Sequence, residues 1–186
     1  MKRALAALLL LCVSCNDPVR ADEEKAVPDD PAHRDGPEHH PGQQCTACHA
    51  SANFRGPTEF SFAGTIYEFR DDTRTGDARA LVGARVIIVD RAGGRMELTT
   101  NSSGNFYVNR SDYDPPMPVF IHIRGPNGEF ITDQNGRYVN QMRSHIGREG
   151  GCGFCHKPGL RNDPNYPSEI YFARTEAELR AAGLTP

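Results

Sequence analysis

The chain has 186 residues, 38% of them hydrophobic and 24% charged, with 18 glycines, 14 prolines, no tryptophan and a formal net charge of −3. That length accommodates one ordinary domain with appendages and excludes two domains with separate full cores; the glycine and proline content favours turns and short strands over long helices. No basic stripe interleaved with aromatics is present, so nothing points to nucleic acid as a partner.

At the N-terminus, Met1-Lys2-Arg3 precedes an unbroken small and apolar run from Ala4 to Val13. This is the charged start and short apolar core of an export signal, too short to span a bilayer. Val13-Ser14-Cys15-Asn16 resembles the lipobox of bacterial lipoproteins, in which the cysteine is acylated and becomes the first residue. Residues 1–15 are therefore expected to be a signal peptide of lipoprotein type, with Cys15 lipidated and the exported protein anchored at the periplasmic or outer membrane face. Cys12 stands where the motif usually has leucine, and cleavage after Val19-Arg20-Ala21 is the alternative, releasing a free periplasmic protein. Loss of residues 1–14 removes Lys2 and Arg3 and leaves a formal charge of about −5.

Residues 16–41 are rich in Pro, Asp, Glu and His and poor in large apolar side chains, which predicts a flexible tether, ordered only near His39 and His40. A first segment, residues 42–58, carries Cys45-Thr-Ala-Cys48-His49. Residues 59–133 then change to short β-like runs: Phe60 to Phe69, Ala84 to Asp90, Met96 to Thr100, Asn105 to Val108 and Pro118 to Arg124. Turn residues separate them, at Gly83, Gly93-Gly94, Ser103-Gly104, Pro115-Pro116 and Asn127-Gly128. Short strands at this spacing predict a mainly β protein, with a small antiparallel sandwich of immunoglobulin-like or transthyretin-like type flanked by loop-rich segments. Residues 134–174 begin polar and glycine-rich and carry a second motif, Cys152-Gly-Phe-Cys155-His156. Residues 175–186 read as a short C-terminal helix, with Thr175 as N-cap, Glu178 three residues on and Gly183 beyond its end.

Gly64-Thr-Ile-Tyr67, Leu81-Val-Gly-Ala-Arg-Val86 and Thr99-Thr-Asn-Ser-Ser-Gly-Asn-Phe-Tyr107 resemble the carboxypeptidase regulatory-like domain, a transthyretin-like β-sandwich. The resemblance covers about two fifths of the chain and implies a non-catalytic scaffold.

Beyond Cys12 and Cys15, all four remaining cysteines fall in the two Cys-x-x-Cys-His motifs, and none is left for a separate disulfide. In haem c, two cysteines form thioethers to the vinyl groups and the following histidine ligates iron from the proximal side. The pair of motifs, 107 residues apart from Cys45 to Cys152, resembles that of a dihaem c-type cytochrome. It implies two covalent haems held by Cys45, Cys48, Cys152 and Cys155, with His49 and His156 as proximal ligands. A zinc site built from the same four cysteines, a thioredoxin-like redox motif and plain disulfides are the rivals. For the opposite face of each iron the candidates are His145, His39 and His40, with His122 and Met142 weaker. His33 and Met117 are further possibilities, and Met96 reads as strand packing. His122 alternates with Val119, Ile121 and Ile123, which places it on a surface or rim. The expected function is single-electron transfer between redox proteins of the cell envelope, with no catalytic residues. A haem enzyme with an open sixth iron position, such as a peroxidase or small-molecule reductase, and an adhesion or assembly module carrying haems are the alternatives. If the ends of the β region meet, the haems pair; if not, the region separates them.

Overall fold

The computed structural model describes residues 22, 25, 36–50, 58–69, 79–132, 142, 146, 147, 150–156 and 169–184. Within them the run from Phe60 to Phe69 divides at Ile66 into β1 (Phe60–Thr65) and β2 (Tyr67–Phe69). The other expected runs form β3 (Arg85–Asp90), β4 (Arg95–Thr99), β5 (Asn105–Asn109) and β6 (Val119–Arg124), and a short β7 (Tyr171–Ala173) follows. Also described are two short helices, α1 (Cys45–Cys48) and α2 (Glu176–Ala181), and a 3₁₀ turn at Cys152–Phe154.

The described residues are thus β-rich, and their strands form three small sheets. β1 pairs antiparallel with β5, β2 pairs parallel with β7, and β3 lies between β4 and β6 in an antiparallel sheet. β6 carries a further connection on its outer edge. Ile146 and Val119 exchange both main-chain hydrogen bonds, and the Met142 amide donates to the Ile121 carbonyl. Part of the polar stretch after residue 134 therefore follows the sheet.

One core joins the three sheets, and the alternation of buried and outward residues is clearest in β6. Val119, Ile121 and Ile123 of β6 are buried, while Phe120, His122 and Arg124 between them point away. Phe62, Val86, Ile88, Phe106 and Val108 complete the same cluster with Phe172 and Leu179. Burying a side chain such as Phe62 or Phe172 contributes about 1.5–3 kcal/mol. β1 differs from β6 in being buried along its whole length, including Ser61, Ala63 and Thr65 on the side away from Phe62. On that side Ser61 Oγ donates to the Tyr113 carbonyl and Thr65 Oγ1 accepts from the Gly42 amide, while Cys152 meets the strand at Gly64 on the Phe62 side.

α2 begins as its sequence requires. Thr175 Oγ1 accepts from the Glu178 amide at 3.2 Å. The Glu178 carboxylate reaches one residue further back than a capping box, accepting from the Arg174 amide at 2.9 Å and from its guanidinium. The helix ends at Gly183, whose φ of +83° lets Leu184 and Gly183 donate back to the Leu179 and Arg180 carbonyls. Among the described residues no helix is long and apolar enough to cross a membrane. Residues 1–21, with Cys15, lie outside the described residues.

Candidate functional site: two cysteine motifs on one strand

The first motif is a single helical turn. The His49 amide donates to the Cys45 carbonyl at 2.9 Å, which folds Cys45, Cys48 and His49 onto one loop of backbone while Thr46 and Ala47 are buried beneath it. The His49 ring is only 8% exposed. Its Nδ1 lies 2.9 Å from the Thr58 carbonyl; a carbonyl only accepts, so Nδ1 carries the proton and Nε2 presents its lone pair. The ring stacks on Phe60 at 4.1 Å and 14°, and Phe60 in turn stacks on Tyr107 at 4.7 Å. Burial lowers the His49 pKa, the Thr58 hydrogen bond opposes this and nearby His39 adds to it, so the ring is held neutral. Burial of the sulfur pushes Cys45 up to about 11, with a backbone hydrogen bond opposing and Cys48 adding, although part of the residue reaches solvent. The thiol donates to the Gln43 carbonyl at 3.7 Å.

The segment before this motif is tied to the β4–β5 turn. Asn101 Nδ2 donates to the Pro37 carbonyl at 2.5 Å, Ser102 Oγ to the Glu38 carboxylate, and Asn105 Nδ2 to the His39 carbonyl at 3.0 Å. Beside it the Gly42 amide donates to Thr65 Oγ1, which donates to Asn105 Oδ1, both at 2.7 Å. Thr65 and Asn105 are direct partners across β1 and β5, so one buried polar pair of the sheet fastens the chain from His39 to Gly42.

The second motif docks on the same strand. Its approach runs parallel to β1, with Ala63 donating to the Gly150 carbonyl at 3.1 Å and bridging Gly151. Three glycines permit the contact. A Cβ on Gly150 would lie 1.8 Å from the Ser61 carbonyl oxygen, one on Gly151 2.2 Å from Thr46 Oγ1, and one on Gly153 2.7 Å from the Gln43 carbonyl oxygen. From the other side, a Cβ on Gly64 of β1 would lie 2.8 Å from Cys152 Cβ and 3.0 Å from its sulfur. The second motif therefore rests on residues 43–46, immediately beside Cys45. It repeats the backbone closure of the first: the His156 amide donates to the Cys152 carbonyl at 2.9 Å. Cys152 and His156 line a small open hollow together with Gln43, Tyr67, Glu169 and Ile170.

The structure thus brings together both sets of motif residues and places His39 and His40 beside the first. His122 sits mid-strand in β6, paired with Ile87, on the face away from the core. Met142 lies beside β6 through its amide, and Met96 and Met117 pack against the core. His33 and His145 lie outside the described residues. Phe172 belongs to the core and Ile170 lines the hollow. Sequence reasoning passes over Thr58, Phe60, Thr65 and Asn105, which hold the first motif, and treats Gly64 as ordinary strand. The glycines of Gly150-Gly151-Cys152-Gly153 are the one sequence signal of a close backbone approach.

Among the described residues none of Cys45, Cys48, Cys152 and Cys155 is in a disulfide, and no three His, Cys, Asp or Glu side chains converge as metal ligands. Comparison of the chain with protein-family models, with curated proteins and with solved structures finds no match.

Proposed function

We propose that the chain is an exported dihaem c-type cytochrome that passes single electrons between redox proteins of the cell envelope, confined near the membrane by a lipid on Cys15. The observation that carries this reading is the close approach of the two Cys-x-x-Cys-His turns beside β1, where Gly151, just before the second, meets Thr46 of the first, and Gly153 of the second meets Gln43, just before the first. The residues fit haem c. Each motif places two cysteines outside any disulfide and a histidine on one closed turn, and His49 has the main-chain carbonyl partner on Nδ1 that orients a proximal imidazole. The same residues suit a zinc knuckle poorly, since the four sulfurs do not converge and Cys45 resists the thiolate form that zinc requires. An iron already held by a porphyrin asks only two axial ligands of the protein, so a cluster of three is unnecessary.

Haem, when bound, supplies a one-electron iron couple. The chain's own residues fasten and tune it. Cys45 and Cys48 anchor the first group and Cys152 and Cys155 the second; His49 and His156 ligate. Thr58 keeps Nε2 of His49 available and Phe60 shields that ring from water. The sheets serve as scaffold, and we read them as a small transthyretin-like sandwich because faces of β1, β3, β5 and β6 share one core. Contact between the motifs supports a haem pair over two separated centres, which suits electron exchange within the chain.

A second reading draws on the hollow beside His156, whose lining includes Tyr67 and Glu169. Polar groups next to an accessible iron would suit a small-molecule reductase or peroxidase. Full-length protein matured in a host that makes c-type cytochromes tests both. Two covalent haems per chain by alkaline pyridine spectrum and intact mass are expected, with acylated Cys15; zinc and no haem would overturn the assignment. A ferric spectrum that shifts with peroxide or nitrite favours the enzyme over the carrier.

A further inference from the structure

We propose that His39 is the distal ligand of the haem held by Cys45 and Cys48, opposite His49; this rests on the haem reading above and goes on to name the sixth ligand. The two imidazoles lie with ring centres 5.7 Å apart. Metal–imidazole bonds of roughly 2 Å place the centres of two rings bound on opposite sides of one ion about 6 Å apart. The observed 49° between the ring planes is compatible, because rotation about each metal–nitrogen bond leaves the bond intact.

Each ring is prepared in the same way. Nδ1 of His49 donates to the Thr58 carbonyl and Nδ1 of His39 to the Gly36 carbonyl. Both are thereby set in the tautomer whose Nε2 carries a lone pair, the arrangement that orients metal-bound histidine. The main chain of His39 is fixed as well, through its carbonyl on Asn105 and, three residues on, through Gly42 on Thr65. The sharp return from His39 to the motif is made by His40, a non-glycine residue at φ +47°, with the Gln43 amide donating to its carbonyl. His40 meets the edge of the His39 ring at 5.4 Å, and it is His39 that contacts His49. His40 is thus the turn and His39 the ligand.

The test uses mature full-length protein with covalent haem counted separately from iron spin state. Wild type is expected to hold two low-spin haems. In His39→Ala both haems remain attached and about half of the low-spin ferric signal becomes high-spin, with added imidazole restoring it. His40→Ala keeps the wild-type spectrum. His39→Met retains ligation and raises the potential of one haem, as sulfur in place of imidazole does. Should His39→Ala fail to mature, His39→Met decides: a raised potential supports the assignment, and an unchanged one overturns it. Two attached haems with the low-spin signal of His39→Ala intact, or its loss in His40→Ala, would also overturn it while leaving the cytochrome reading standing. Absence of covalent haem from the wild type would sink that reading, and the ligand assignment with it.

Discussion

The same pentapeptide pattern occurs in two unlike settings. At the first motif the histidine is buried, held through Nδ1 and stacked on Phe60, and the preceding chain is fastened to β1 and β5. At the second, Phe154 is 43% exposed, Cys155 is exposed, and the histidine opens on a hollow. The pattern is the same, and the surroundings decide how dry and how rigid each copy is. On the proposed haem reading, a haem in the first setting would be better shielded from water than one in the second, so their potentials should differ even with identical proximal ligation. A redox titration of the mature protein checks this: two resolved one-electron steps are expected, and one step with coincident potentials would remove the contrast.

The largest effect on the contrast comes from separating the two settings. Gly150→Ala places a methyl 1.8 Å from the Ser61 carbonyl oxygen, a main-chain atom of a buried strand. The second motif must lift away, at a cost of about 4–5 kcal/mol in denaturant unfolding. Peptide mass spectrometry should find haem kept at Cys45 and Cys48 and diminished at Cys152 and Cys155. Equal loss at both would mean that the motifs stand or fall together. Thr65→Val acts on the other side and less strongly. It preserves volume but leaves the Gly42 amide and Asn105 Oδ1 without the hydroxyl between them, a loss of about 1–3 kcal/mol. Hydrogen exchange should quicken at Gly42 and Gln43 while Gly151 to His156 stay protected. Thr175→Ala is weaker again, about 1 kcal/mol from the lost N-cap. Because α2 packs on β2 and β7, its effect should appear around Tyr67 and Ile170 at the hollow.

These variants also mark what was legible in the sequence. The strands were, since branched and aromatic residues alternate with polar ones over runs such as Val119 to Arg124, and that period is a local property of the chain. The cap at Thr175 and the two cysteine motifs were legible for the same reason: their partners lie within a few residues. The break at Ile66, the parallel pairing of β2 with β7 and the meeting of Gly150 to Gly153 with Gln43 to Thr46 were not. Each joins segments far apart in the chain, and a glycine that admits a distant backbone looks in sequence like a glycine that makes a turn. The same holds for Asn105, whose amide meets the His39 carbonyl far back in the chain, while Thr58 acts on His49 through a main-chain carbonyl, and no residue type announces that.

The smallest expected effect is on pH, and it isolates the first setting before haem is attached. Burial holds His49 below the ordinary histidine value of 6.5 in the folded chain, whereas the unfolded chain leaves it there. Between the two values the unfolded state binds more protons, so stability rises with pH across that interval. It is complete above about 6.5 and is lost as pH falls toward the folded value. The shifted carboxylates Glu129 and Glu178 have folded values below 4.5 and act at lower pH, while Glu68 is raised and opposes the trend. The measurement is therefore a difference: urea unfolding of haem-free wild type and His49→Gln at pH 7.5 and pH 5.5. Glutamine does not titrate, so wild type should lose more stability on acidification than the variant does. If the two lose the same amount, His49 is not held neutral by burial, and the dry first setting loses its clearest electrostatic sign.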